Sequence, residues 1–211
     1  MIYGAGDLCL EVVWYIEQIN KVSPTFEIIG ILDDFCEKGT IIGGYPILGG
    51  KEYFETHKKE VSLVFAISVP SISRTIIQQL EQYDFISYPN IISPYSIIAT
   101  NVKLGKGIIV PPGVIINTDA VISDFVKFGQ GASINHHCVI GAHTFVAPSA
   151  TVTGHVTIGE ECFIGAVSAI LPDLFVGNGV TVGAGAVVTK NIEDNVVVVG
   201  IPAVKKGVSN V

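Results

Sequence analysis

The sequence predicts an α/β plus all-β chain: a small Rossmann-like domain at residues 1–90, then a left-handed parallel β-helix at residues 91–211. Three observations predict it. Short β-like runs alternate with helical ones up to about residue 90, the helical signal then stops, and from there an aliphatic residue recurs at every sixth position.

In the first part, Ile2-Tyr3 leads into Gly4-Ala5-Gly6, and Leu8 to Ile19 carries apolar residues at helical spacing. Phe26 to Leu32 reads as a second strand ending at Asp33-Asp34, and Val61 to Ile67 as a third. Ser71 to Tyr83 reads as a helix with Arg74 exposed, followed by an extended run from Phe85 to Ile92. Strand and helix in this order imply a small parallel sheet with right-handed crossovers.

In the second part the positions Ile98, Leu104, Val110, Ile116, Ile122, Phe128 and so on to Val188 are aliphatic or Phe at all sixteen places. With half the chain apolar, such a run arises by chance roughly once in 10⁵, so it is a repeat. Four residues after each sits a mostly small or β-branched residue, from Val102 through Ala132, Cys138, Thr144 and Ala150 to Ala186. Two inward positions per hexad, often with Gly directly after the first, describe a short strand and a tight corner repeated around a solenoid. Three hexads close a triangular coil, so residues eighteen apart stack along the axis. His136 then aligns with Thr118 below and Gly154 above, and His137 with Asp119 and His155. Both histidines fall at outward positions, where any burial must come from a partner.

Composition narrows the function. The net charge of −7 argues against a binder of phosphate backbones, so nucleic acid is not an expected partner. No apolar run reaches the roughly 20 residues that span a bilayer, so no membrane is expected either. Cys9, Cys36, Cys138 and Cys162 lack C-x-x-C spacing and read as small thiols of a reducing cytoplasm.

The stretch Asn135-His136-His137-Cys138-Val139-Ile140-Gly141, with Val146-Ala147-Pro148 and Gly154-His155-Val156-Thr157-Ile158-Gly159, resembles the bacterial sugar acyltransferases related to sialic acid O-acetyltransferase. That family includes the N-acetyltransferases of nucleotide-linked 4-amino-4,6-dideoxy sugars. Gly4-Ala5-Gly6, Ile31-Leu32-Asp33-Asp34, Gly44-Tyr45-Pro46-Ile47-Leu48-Gly49, Gly183-Ala184-Gly185-Ala186 and Val199-Gly200-Ile201-Pro202-Ala203 are similar to the same family. The resemblance implies a homotrimer with active sites between subunits, acetyl-CoA along the coil groove, and a nucleotide sugar on the N-terminal domain. It makes His136 the base and the Gly154 N–H the oxyanion donor. An imidazole titrating near neutrality suits the proton that an attacking amine or hydroxyl must lose. Phe145, Gly154, Gly165, Ala166, Gly183, Ala184 and Lys190 are the expected acyl-CoA contacts, and Gly4, Ala5, Gly6, Asp33 and Asp34 the expected nucleotide-sugar contacts.

The sequence departs from the family pattern at several positions. The residue after the base is usually acidic and orients the imidazole. Here it is His137, with Asp119 one coil below in a position to compensate in part. A second family histidine, nine residues on, is replaced by Phe145. Cys9 stands where a dinucleotide fingerprint needs its third Gly, which disfavours NAD, and Asp7 would repel a phosphate at the helix start. His143 and His155 are expected at the surface or a trimer interface, and His57 simply exposed. Trimeric β-helices of the γ-class carbonic anhydrases bind zinc. However, the neighbouring histidines here, His136, His137 and His143, lie within one coil, so no metal site is expected. Lys190, Lys205 and Lys206 could meet the phosphates of CoA. No cysteine occupies the base position, which points to direct attack without a covalent intermediate. The expected reaction is therefore transfer of acetyl from acetyl-CoA to the amine of a nucleotide-linked 4-amino-4,6-dideoxy sugar. The alternatives are O-acetylation of sialic acid or a related sugar, and a non-catalytic β-helix assembly protein.

Overall fold

Because each hexad carries two inward side chains, the coil closes around its own apolar axis. The computed structural model, which describes residues 1–209, is a left-handed parallel β-helix carrying an α/β unit at its N-terminal end. Two-residue strands recur every six residues from Ile91–Ile92 onward. Each pairs in parallel with the strand eighteen residues on, as in Ile115 with Ser133 and Val121 with Val139.

Among the described residues the solenoid has a first face of eight strands starting at Ile91–Ile92, a second of six starting at Ile97–Ile98, and a third of five starting at Lys103–Leu104. Both inward registers fill the axis: Ile134, Cys138, Ile140, Val146, Ala150 and Val152 are all fully buried. Each buried aliphatic side chain contributes about 1.5–3 kcal/mol. The polar members of the second register bond within the coil. The Thr144 hydroxyl donates to Gly159 O at 2.9 Å, and the Cys138 thiol to Thr153 O at 2.9 Å.

The N-terminal unit contains β1 (Ile2–Tyr3), α1 (Asp7–Val22), β2 (Ile31–Leu32), β3 (Ile41–Ile42), β4 (Tyr45–Gly49), α2 (Tyr53–Thr56), β5 (Val61–Ser62), β6 (Val64–Phe65), α3 (Pro70–Leu80) and β7 (Ile86–Ser87). The main sheet runs β3-β4-β2-β1-β6. It is parallel except for the β3–β4 hairpin.

Three expected strands are cut short. Phe26 to Gly30 does not join β2, because the Asn20 side chain takes up both backbone groups of Phe26. The run from Val61 to Ile67 changes neighbours at Leu63. Leu63 N donates to Ser87 O, on the side of β7, while Val64 N donates to Met1 O, on the side of β1. The run from Phe85 to Ile92 is broken near Pro89, which has no N–H to give, so Ile86–Ser87 pairs with β5 and Ile91–Ile92 starts the solenoid.

The unit sits on the first face. Ile91 and Ile109 pack among Cys9, Val12, Val13 and Ile16 of α1. Phe125 meets Tyr88 and Phe65 edge-on, with centroids 5.1 and 6.4 Å away. Gln130 Nε2 donates to Glu11 and to the Tyr15 hydroxyl at 2.8 and 2.6 Å.

Candidate active site

The corner between the second and third faces turns on a residue in the left-handed region: Asp119, His137, His155 and Asp173 have φ of 58°, 59°, 60° and 60°. Asp and His are among the side chains that tolerate this conformation. The corners are locked coil to coil, with His137 N donating to Thr118 O and His155 N to His136 O, both at 3.0 Å. The repeat therefore puts the His136 ring directly under Gly154. A Cβ built on Gly154 would stand 2.5 Å from His136 Cε1 and 2.8 Å from Nε2. At Gly165 the obstructing atoms are backbone, Val182 O at 2.5 Å and Ala184 N at 2.6 Å, so that glycine serves coil packing. At Gly154 they belong to an exposed imidazole, so its missing side chain leaves room for a ring. Among the described residues the Gly154 amide donates no hydrogen bond.

His136 and His137 are exposed, with their Nδ1 atoms 3.2 Å apart. His137 Nε2 lies 3.7 Å from Asp119 Oδ2, and the His155 ring stacks on His137 at 4.7 Å with an interplanar angle of 11°. Asp119 is held in turn by Asn101 Nδ2 at 2.6 Å and the Thr118 hydroxyl at 2.9 Å. The histidines that converge are His136, His137 and His155, whose donor atoms all lie within 4.8 Å of one another. His143, grouped with the first two from the sequence, is one corner further on.

His143, expected at the surface or a trimer interface, is half-buried within its own chain. Its ring stacks on Phe125 at 5.2 Å, and its Nδ1 is buried without a partner. Burial pushes it down to about 4, and the nearby Lys127 and Arg74 cations add to the effect against Asp124. Lys127 points outward from the first face, yet α3 covers it. It is 3% exposed, donates to the Ser73 hydroxyl at 3.0 Å, and is lowered by burial to about 7. Arg74, expected to be exposed, pairs with Glu161 of the solenoid. Docking of α3 on the first face creates this cluster, which the hexad pattern cannot show.

Gly165 and Ala166, with Gly183 and Ala184 one coil above, form the corner between the first and second faces. They and His136 thus lie at opposite edges of the second face. Lys190 is exposed just past the last strand of that face, while Lys205 pairs with Glu193. Phe145 lies on the first face, stacked on Phe163 at 5.4 Å, so a single chain does not bring it beside His136.

In the N-terminal unit both acids already have partners. Asp33 accepts from Ala5 N, Phe35 N and Cys36 N at 2.9, 2.9 and 3.0 Å. Burial raises its carboxyl, and these amides more than offset that, leaving it below its usual range. Asp34 accepts from the Tyr3 hydroxyl at 2.8 Å and Lys51 N at 2.9 Å. The two acids shape the loop behind the Gly4-Ala5-Gly6 turn. Gly6, which caps α1, faces open space.

A hexad solenoid with an outward imidazole beneath an open glycine amide is the framework of a hexapeptide-repeat acyltransferase. The comparisons with known proteins agree with this class. Residues 1–80 match the PglD N-terminal domain, and residues 119–154 and 155–190 match the bacterial transferase hexapeptide (six repeats). No curated protein matches the chain in sequence. PerB from Caulobacter crescentus, solved with CoA and GDP-perosamine, is 26% identical with a TM-score of 0.87, over 98% of this chain and 96% of its own. The acetyltransferase domain of PglB from Neisseria gonorrhoeae FA1090, solved with acetyl coenzyme A, is 27% identical with a TM-score of 0.87, over 97% of each chain. WeeI from Acinetobacter baumannii AYE, 23% identical with a TM-score of 0.69 over 97% of this chain and 98% of its own, shares the fold. The chain joins a PglD-type N-terminal domain to bacterial transferase hexapeptide repeats, and the solved structures it resembles at 26–27% identity are a perosamine N-acetyltransferase and a PglB acetyltransferase domain.

Proposed function

We propose that the protein transfers acetyl from acetyl-CoA to the amine of a nucleotide-linked 4-amino-4,6-dideoxy sugar, with His136 as the base and the Gly154 N–H as the oxyanion donor. The observation that carries this is the His136 ring lying under Gly154, with no side chain between the base and the amide. The acceptor amine attacks the thioester carbonyl, His136 Nε2 takes its proton, and the Gly154 N–H stabilises the negative oxygen. Collapse of the tetrahedral adduct expels the CoA thiolate, which recovers the proton from the imidazolium. No covalent enzyme intermediate is needed.

The active unit is a homotrimer. His136, His137 and the outward apolar residues Ile97, Ile115 and Val139 are exposed in one chain. A second chain packed against this surface would wall the site and could bring its own Phe145 toward the acyl group. The CoA chain would run across the second face toward Gly165, Ala166, Gly183 and Ala184, with Lys190 near its phosphates. The nucleotide would approach the Gly4-Ala5-Gly6 turn, where Asp33 and Asp34 shape the loop. No described helix is long and apolar enough to cross a membrane. A cytoplasmic site is inferred because acetyl-CoA and nucleotide sugars are made there.

A CoA-release assay against UDP-, dTDP- and GDP-linked 4-amino sugars, beside free sialic acid, tests the reading. Release with an amino sugar, cut about 10²–10⁴-fold in His136→Ala, is expected. Release with sialic acid alone would reassign the acceptor to a hydroxyl, and full release in the variant would remove His136 as the base.

A further inference from the structure

We propose that Asp119 is a positioning residue for the reaction, acting through His137 to fix the proton of His136 on Nδ1 and leave Nε2 free as the base. The inference rests on His136 being the base. The residue beside the base is His137, which itself carries no carboxylate but touches both the base and a carboxylate. The eighteen-residue repeat supplies it one coil below.

The geometry allows one arrangement of protons that serves catalysis. His136 and His137 face each other through Nδ1 atoms 3.2 Å apart, so one must carry a hydrogen and the other a lone pair. His137 presents its other nitrogen, Nε2, to Asp119 Oδ2 at 3.7 Å. An ionised carboxylate only accepts, so it favours the His137 tautomer with hydrogen on Nε2. That leaves the His137 Nδ1 lone pair to accept from His136 Nδ1–H, and His136 Nε2, 2.8 Å from where a Gly154 Cβ would stand, keeps its lone pair. When Nε2 takes the substrate proton, the positive charge on His136 is shared through His137 toward Asp119, and it returns when the leaving thiolate is protonated. The relay requires the 3.7 Å gap to close when substrate binds, as hydrogen bonds of unliganded sites often do.

The surroundings hold this chain of groups in place. Asn101 Nδ2 and the Thr118 hydroxyl occupy Asp119 from below and beside it, at 2.6 and 2.9 Å. From above, His155 stacks flat on His137 and meets His136 edge-on at 5.1 Å. Asn101, Asp119, His137 and His155 thus form one column at eighteen-residue spacing, the lower members holding the carboxylate and the upper ring steadying His137.

The test compares Asp119→Asn, His137→Glu and the double variant, with His136→Asn as reference. The measurements are kcat and KM for both substrates, the pH profile of kcat/KM, and thermal melting. Asp119→Asn keeps the shape but turns one accepting oxygen into a donor and lacks the charge. It is expected to lower kcat about 10–100-fold with KM nearly unchanged, and to shift the alkaline-rising limb of the profile. His137→Glu puts a carboxylate directly beside the base and takes Asp119 out of the chain of groups. In that background Asp119→Asn should cost nothing further. Side-chain ¹⁵N shifts of labelled histidine give a second readout, independent of how His137→Glu folds: His136 should carry its proton on Nδ1 in the native protein and on a mixture of nitrogens in Asp119→Asn. Unchanged kcat and tautomer in Asp119→Asn, or the same loss with Glu at 137 as with His, would overturn the relay. A fully active His136→Asn would instead overturn the base on which it rests.

Discussion

His137 and His143 occupy the same backbone slot on adjacent corners of one coil, both at φ 59°, yet their surroundings are opposite. The first is open to solvent, with Asp119 below it and His136 beside it. The second is stacked on Phe125 and pressed by Lys127 and Arg74, so burial and like charge hold it neutral. The repeat sets the geometry of a corner, but the unit docked against that corner decides its chemistry. A corner left bare can carry a reactive imidazole, and one roofed by α3 cannot.

The largest expected effect that separates the two corners is at Gly154. Gly154→Ala would push a methyl into the His136 ring, and acetyl transfer should fall about 10²-fold. Melting should be nearly unchanged, because the displaced group is an exposed ring. A fully active variant would show that the ring and amide do not work together.

The second effect concerns stability at the roofed corner. His143 titrates at about 4 when folded against an ordinary 6.5. The unfolded chain therefore takes up that proton first, and stability falls as pH drops from 6.5 toward 4. Lys127, lowered from 10.5 to about 7, disfavours the folded state fully when charged, so stability rises with pH between 7 and 10.5. Lys127→Met should then raise Tm by about 2–4 °C at pH 6.5 and by less at pH 10, with kcat unaltered. Melts at several pH values would sink this if the gain grew with pH.

The smallest effect is expected from Glu161→Gln, which breaks the pair with Arg74. Both side chains are partly exposed, at 40% and 22%, so the loss should stay within about 1 kcal/mol in denaturant titration.

The bare corner was legible in the sequence because a period of six fixes both the inward positions and the eighteen-residue stacking. The alignment of His136 under Gly154 and of His137 over Asp119 follows from counting alone. Asn101 belongs to the same column, and counting one coil further down from Asp119 would have found it. The roofed corner was not legible. His143 reads as a surface or trimer-interface residue, the Arg74–Glu161 pair is not foreseen, and nothing in the hexad pattern says which outward positions α3 will cover. Short strands failed for a related reason: where a neighbouring side chain such as Asn20 takes up the backbone groups, an apolar run like Phe26 to Leu32 is extended without being paired along its length.

Catalysis at this corner turns on where the thioester lies. A crystal structure of the protein with CoA should place the sulfur within about 3.5 Å of His136 Nε2 and beside the Gly154 amide, at a seam between two chains. CoA bound elsewhere, with the His136 corner empty, would contradict it.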